Sequence, residues 1–281
     1  MFGCRHDRVL LFNRARHEIV LWDPLNGDHR TVVVPLLVDG SEEKLIWNGA
    51  VLCAAAGNHG HFKVVLVGVT SNNTRMFAYC YSSETCERNS VVSTTFLFLV
   101  YFVRDPGVLV GNVLYWMAFG DGCAILEFDL DSDSLAVSER PSADSPDSSS
   151  HIMRIEDGGL GWAILSSRRL QMWERKVCSG GVARWVLRKT EKMYKILGMQ
   201  SETHVGQPVI LGYAEDANVI TLWMDHRVYM LELASLKSTK LWETHILYRH
   251  HPYTSSYALG SLLLQLTDMK RILFCFTVLG C

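Results

Sequence analysis

Arg8-Val9-Leu10-Leu11-Phe12-Asn13-Arg14-Ala15-Arg16-His17-Glu18-Ile19-Val20-Leu21-Trp22-Asp23-Pro24-Leu25-Asn26-Gly27 is the stretch that decides the fold. Val9–Phe12 is a short apolar run, and Arg14–His17 follows it as a polar turn. Glu18–Trp22 resumes the apolar pattern, and Asp23-Pro24-Leu25-Asn26-Gly27 is a strong turn signal. His29–Pro35, rich in Val, then makes a third run. β-branched and aromatic residues dominate these runs, as pleated, half-buried strands require.

The same pattern recurs along the chain. Phe62–Val69 is followed by Met76–Tyr81 and the turn Ser82–Thr85, and Val113–Phe119 by Ala124–Leu130 and the turn Asp131–Ser134. Gly161–Leu165 precedes Leu170–Glu174 and a longer turn around Ser179-Gly180-Gly181. Val219–Trp223 precedes Val228–Leu233 and the turn Ala234–Lys237. Large residues close the second strand of each pair: Trp22, Tyr81, Phe128, Trp173 and Leu231, at intervals of 59, 47, 45 and 58 residues. Repeats of about 40–50 residues with several strands each mark β-propeller blades. Large apolar anchors at equivalent places are expected where each blade buries a face against its neighbour. The expected class is all-β, a β-propeller or incomplete propeller with about five recognisable blade-like units; a non-repetitive β-sandwich is the plainer alternative. Residues 1–260 form the expected domain, and 261–281 a divergent apolar tail.

Two segments stand apart. Ser138–His151 holds six Ser, two Asp and two Pro and reads as an exposed loop between blades. Glu191–Met199 reads as one short helix or an extended loop. At the start, Val9 begins the first recognisable strand, so the strand preceding it in a blade is expected to be missing. At the end, 13 of the 20 residues from Leu262 to Cys281 are apolar, but Asp268, Lys270 and Arg271 sit in the middle and oppose a membrane span. The tail is expected to hang loose, the alternative being strands at 262–266 and 272–278 that cover the first sheet's edge.

Composition excludes several function classes. Hydrophobic residues make up 48% and charged residues 20%, which fits a packed globular chain and not a disordered one. Lys+Arg 27 against Asp+Glu 29 gives −2, without the basic excess of a nucleic-acid binder. Eight Cys in 281 residues is too sparse for a disulfide scaffold. No long apolar run ending in a small-residue cleavage site opens the sequence, so a cytoplasmic or nuclear protein is expected.

The search for chemistry finds no cofactor site, metal site or catalytic residue. Gly158-Gly159-Leu160-Gly161 lacks the later Gly of a dinucleotide turn and precedes a strand, so it reads as a turn needing positive φ. His59-Gly60-His61, and His250-His251 with His245, are the only His clusters, and adjacent strand residues point to opposite faces. No Ser/His/Asp or Cys/His set assembles from spacing alone. One pattern does recur, in the turns between paired strands. Arg14 and Arg16 with His17 occupy the first turn and Arg75 the second, while Arg168 and Arg169 occupy the fourth and His226 and Arg227 the fifth. On a propeller rim these would form a partner-binding face for an acidic segment. The bland reading is that exposed turns are polar in any case.

The ordered set Cys4-Arg5-His6, Arg8–Phe12, Ile19–Gly27, Trp47–Ala54, Phe62–Val69, Tyr81–Thr85, Leu109–Trp116 and Ile125–Asp131 carries a resemblance that continues through Glu156–Gly161, Leu170–Lys176, Ile210–Val219 and His251–Tyr257. Over Cys4 to Tyr257 the chain resembles the C-terminal, F-box-associated propeller region of a large plant F-box family, abundant in grasses. The resemblance implies a non-catalytic module that captures an unknown protein target for a cullin-type ubiquitin ligase, with no cofactor, nucleic acid or membrane. The F-box that would bind a Skp1-like adaptor is not in the sequence, so adaptor binding is not expected and a truncated family member is. Asp7 and Cys86 stand where the family tends to have Gly, which implies positive φ at both. A dispersed-site propeller enzyme, a lectin-like binder and a non-functional fragment are the alternatives.

Overall fold

The computed structural model describes residues 1–13, 15–24, 26–34, 38–39, 42–53, 61–70, 75–85, 91–95, 101–102, 105–119, 124–142, 148–178, 180–199, 207–245, 249–254 and 272–277. They fall into two compact units, one of residues 1–107, 112–138 and 252–274, the other of 108–111, 139–251 and 275–281.

The first unit opens with an antiparallel sheet in chain order: β1 (Gly3–Arg5), β2 (Arg8–Asn13), β3 (Glu18–Trp22) and β4 (His29–Val33). The strand expected to be missing before Val9 is therefore present as β1. It escapes sequence reading because it is three residues long. Between β1 and β2, His6 and Asp7 adopt φ of 50° and 60°, the left-handed turn that Gly favours and Asp tolerates. Asp23 closes β3 as the sequence reading requires. Its buried carboxylate accepts the Asn26 backbone N–H (3.3 Å) and side-chain amide (3.0 Å), and pairs with Arg8 at 3.2 Å. A buried carboxylate needs such partners, since an unpaired one would be costly.

The second sheet is β5 (Val38–Asp39), β6 (Glu42–Cys53), β7 (Phe62–Thr70), β8 (Arg75–Ser82) and β9 (Val92–Thr95). Every residue of β7 but Lys63 is buried. At Gly68 a Cβ would come within 2.1 Å of the Leu45 carbonyl oxygen and 2.7 Å of Phe77, so only Gly lets β6 close on β7. Leu10, Ile19 and Leu21 of the first sheet pack with Val51, Val64 and Leu66 of the second in one core. Arg5 is buried beside this core, donating to the carbonyls of Gly107 (2.9 Å) and Val51 (3.4 Å).

The third sheet runs β10 (Tyr101–Phe102), β12 (Val113–Phe119), β13 (Ala124–Asp129) and β14 (Ser134–Glu139), with β11 (Val108–Val110) preceding β12 in the chain. Trp116 and Phe128 are its fully buried aromatics. Asp129 organises the turn after β13, accepting from the Asp131 and Ser132 backbone N–H groups and the Ser132 hydroxyl, and the Ser132 N–H leads in holding its pKa below the ordinary value.

The second unit holds a sheet of β15 (Ser149–Arg154), β16 (Leu160–Leu165), β17 (Arg169–Val177) and β18 (Ala183–Lys192). After it come one turn of helix, α1 (Met193–Ile196), and a sheet of β19 (Val209–Ala214), β20 (Val219–Met224), β21 (Arg227–Glu232) and β22 (Ser238–Glu243). Gly158 has φ of 80°, as read from its sequence. β15 and β19 meet through polar pairs: the Ile210 N–H donates to the Ser149 hydroxyl (2.9 Å) and the Arg154 N–H to the Tyr213 hydroxyl (3.1 Å), which donates to Asn218 (3.0 Å). Burial pushes the Tyr213 phenol up to about 12.

The fold is all-β, a β-propeller with five blade-like sheets, and the hairpins read from the sequence are the central strands of all five. Three expectations are corrected. The loop expected over 138–151 is shorter, because β14 ends at Glu139 and β15 begins at Ser149; Ser-rich β15 buries only His151, Ile152 and Met153 and shows no period. Among the expected anchors, Phe128 and Leu231 are fully buried, but Trp22, Tyr81 and Trp173 are only half-buried. The largest buried side chains are Trp116 and Trp162, one strand earlier in their sheets. The tail is not wholly loose: β24 (Ile272–Thr277) pairs with β23 (Arg249–Thr254) in a two-stranded sheet, and among the described residues not with the first sheet; the strand expected over 262–266 lies outside the described residues.

Candidate interaction surface

The fourth sheet differs from a closed blade at its outer hairpin. β17 has nine residues and β18 ten, against six each in β15 and β16, so the outer strands outrun the inner ones. Gly180 and Gly181 (φ 76°) make the tip. Trp173 lies opposite Leu187, and Arg175 opposite Trp185. These four share a face with buried Trp162, because Trp162 pairs with Trp173 and partners across a ladder point the same way. Trp162 and Trp185 meet edge to face at 6.2 Å, and the Trp185 indole donates to the Glu139 carbonyl at 2.8 Å. Trp185, near the tip end of the ladder, thus ties β18 to the inner strands by aromatic packing.

On either side of Trp185 the hairpin is open. Val177 is 71% exposed, Val182 57%, and Val186 and Leu187 each 43%. They are four of the six large hydrophobic residues that stand exposed among the described residues. β18 forms the outer edge of its sheet and has no strand beyond it among the described residues. A register shift at Met172/Trp173 leaves Arg188 as the extra residue of β18, so the regular ladder outside the bulge covers Ala183 to Leu187.

Charge is concentrated on the same strands. Residues 168–195 contain nine Lys or Arg and two Glu, a net +7, so the remainder of a chain of net −2 carries −9. Both acids are engaged: Glu174 with Lys176 (3.4 Å) and Arg188 (3.3 Å), Glu191 with Lys189 (3.7 Å). Arg188 also reaches Asp157 at 3.1 Å. Exposed Arg168, Arg169 and Arg184 make no ion pair among the described residues.

The residues expected to form a rim are distributed over both units. Arg14 lies outside the described residues, and Arg16 and Arg75 are exposed at the ends of their turns in the first unit. Arg168 and Arg169 lead into β17 in the second unit, so they belong to the basic strip just described. His226 and Arg227 occupy the tight β20–β21 turn, where Asp225 and His226 have φ of 48° and 62°. Arg227 is engaged with Glu243 at 3.4 Å, and its pKa is raised by Tyr229 first and Glu243 second. The His226 ring lies 4.4 Å from that of His245 and edge-on to Trp223 at 5.6 Å. Sequence reading missed β18 itself, although the run of nine cations from Arg168 to Lys195 was visible. Its mixed residues resemble neither an alternating strand nor a helix.

A family model described as "F-box protein AT5G49610-like, beta-propeller" matches residues 1–255. The chain belongs to this family. The family therefore accounts for all five sheets, from β1 to the end of β22. No curated protein matches the chain. Among solved structures, a Synechocystis apocarotenoid oxygenase mutant is similar at 9% identity and a TM-score of 0.47, over 88% of this chain and 60% of that one. The WD40 domain of SCAP from fission yeast is similar at 15% identity and 0.44, over 92% and 57%. Puromycin hydrolase is similar at 14% identity and 0.43, over 85% and 38%. The chain spans less than two thirds of the length of each. Among the described residues no helix is long and apolar enough to cross a membrane, and no cluster of His, Cys, Asp or Glu could hold a metal ion.

Proposed function

We propose that this chain is a non-catalytic protein-interaction module, the part of a cullin-type ubiquitin ligase receptor that captures the target. The observation that carries the reading is membership of an F-box-protein propeller family across residues 1–255. The exposed apolar and basic hairpin of the fourth sheet supports it, since an open edge carrying Arg and Trp side chains has residue types enriched at interfaces. The partner is an unidentified protein, bound without a cofactor. The 281 residues by themselves are not expected to bind a Skp1-like adaptor, because the family match is to the propeller alone.

The test fuses the chain to an F-box segment and expresses it with adaptor and cullin. Proteins retained by the fusion are then followed for ubiquitin chains. At least one retained protein is expected to gain them. Retention without ubiquitination would overturn the ligase role, and no specific retention would overturn the interaction role. Micromolar binding of the unfused chain to the adaptor would show that the propeller itself engages it.

A further inference from the structure

We infer that the outer edge of β18 is a docking strand for an extended acidic segment of a partner protein, which adds to the fourth sheet along Ala183–Leu187. The inference rests on the protein-interaction reading and names the chemistry of the partner.

An edge strand presents unpaired N–H and C=O groups, and proteins commonly guard such edges with Lys, bulges or short strands. β18 has part of that guard: the bulge at Arg188 stops regular pairing there. The five residues outside the bulge are not guarded in the same way. Arg184, Val186 and Leu187 are exposed, and Trp185 is half-buried. Two exposed aliphatics on a free edge invite pairing. Five residues is also an ordinary strand length. The edge can therefore take one added strand, the mode in which backbone bonds supply affinity and alternate side chains supply specificity.

Charge selects the occupant. The strip from 168 to 195 nets +7 with both its acids already paired, whereas the chain as a whole nets −2. A second copy of this chain would bring an identical basic edge against it, which like-charge repulsion disfavours. An acidic strand is attracted. Side-chain alternation sharpens the pattern: Arg184 and Val186 point to one face, Trp185 and Leu187 to the other. The favoured segment alternates Asp or Glu, opposite Arg184, with aliphatic residues against Trp185 and Leu187.

The experiment measures fluorescence anisotropy of labelled nonapeptides with the intact chain. The probes are an alternating Glu/Val peptide, the same peptide with Lys for Glu, and the Glu/Val peptide with a central Pro. The Glu/Val peptide is expected to bind, and to weaken as salt rises. The Lys peptide should not bind, and the Pro peptide should lose most affinity because it removes a ladder donor. Arg184→Glu should weaken the Glu/Val peptide by about tenfold or more, the effect of turning one close pair repulsive, with thermal stability unchanged. Hydrogen exchange should show new protection confined to 183–187. Equal binding of Glu and Lys peptides, protection elsewhere, or self-association through this edge would overturn the inference. If a protein retained by the ligase fusion binds Arg184→Glu as it binds the unaltered chain, the docking strand fails while the interaction module stands.

Discussion

Two hairpins of similar length, β7–β8 in the second sheet and β17–β18 in the fourth, are used in opposite ways. Along β7–β8 nearly every side chain on both faces is buried, and the two strands carry one Lys and one Arg. Along β17–β18 Trp185 packs against Trp162, while most of β18 is exposed and charged. A strand buried on both faces must read as a continuous apolar run, and its residues are set by packing alone. A strand exposed at an edge is released from that demand, so its aliphatic and basic residues need another explanation. The contrast separates what holds the molecule together from what it offers to a partner.

The largest effect should come from emptying the buried hairpin. Phe77 is fully buried on β8, and Phe77→Ala is expected to cost about 3–5 kcal/mol. Chemical denaturation would measure it. Val186→Ala on the exposed hairpin should change stability by less than about 0.5 kcal/mol. If the two variants cost the same, the distinction between the hairpins fails.

Overfilling should come next. Gly68→Ala places a methyl against the Leu45 backbone and is expected to cost about 1–3 kcal/mol or more, because β6 must shift. Gly180→Ala at the tip of the open hairpin meets nothing within 4 Å and should leave denaturation unchanged.

A pH effect tests the polar seam between β15 and β19. The Tyr213 phenol is raised by burial from its ordinary 10.0 to about 12. The unfolded chain therefore loses this proton at lower pH than the folded one. The stability linked to it is complete below pH 10 and is lost as pH rises through about 12. Tyrosinate absorbance should show one phenol titrating late, and Tyr213→Phe should remove that slice of alkaline destabilisation.

The smallest change in stability should come from the charged start of β17. Arg168→Glu with Arg169→Glu alters two exposed residues without ion pairs among the described residues, so the melting temperature should hardly move. Affinity for an acidic partner and its salt dependence should both fall. Unchanged affinity for an identified partner would show these two residues to be solvated turn positions.

The central strands were legible because their apolar runs and turns are local signals. Asp23 announced its turn, whereas the left-handed backbone at Asp7 was expected only from the family resemblance. Apart from β4, read as the run His29–Pro35, the edge strands were less legible. β18 carries Arg, Lys, Thr and Glu among its apolar residues, and β15 lies in a run of Ser. Their identity as strands comes from the ladder offered by a neighbour already in place. The anchors shifted for a related reason: Trp173 falls in the middle of β17, beside the bulge and opposite exposed Leu187 of the edge strand β18, whereas Trp162 lies one strand further in, between β15 and β17.

By itself the sequence determined five repeated hairpins, their turns and an all-β propeller, since hydrophobic periodicity and turn chemistry act over a few residues. Only the tertiary structure decided which tryptophans are enclosed, that Arg5 is buried against the Gly107 and Val51 carbonyls, and that Arg184, Arg188, Lys189 and Lys192 lie on a strand with none beyond it among the described residues. Burial and edge exposure depend on which strands stand on either side, and residues far apart in the chain supply those neighbours.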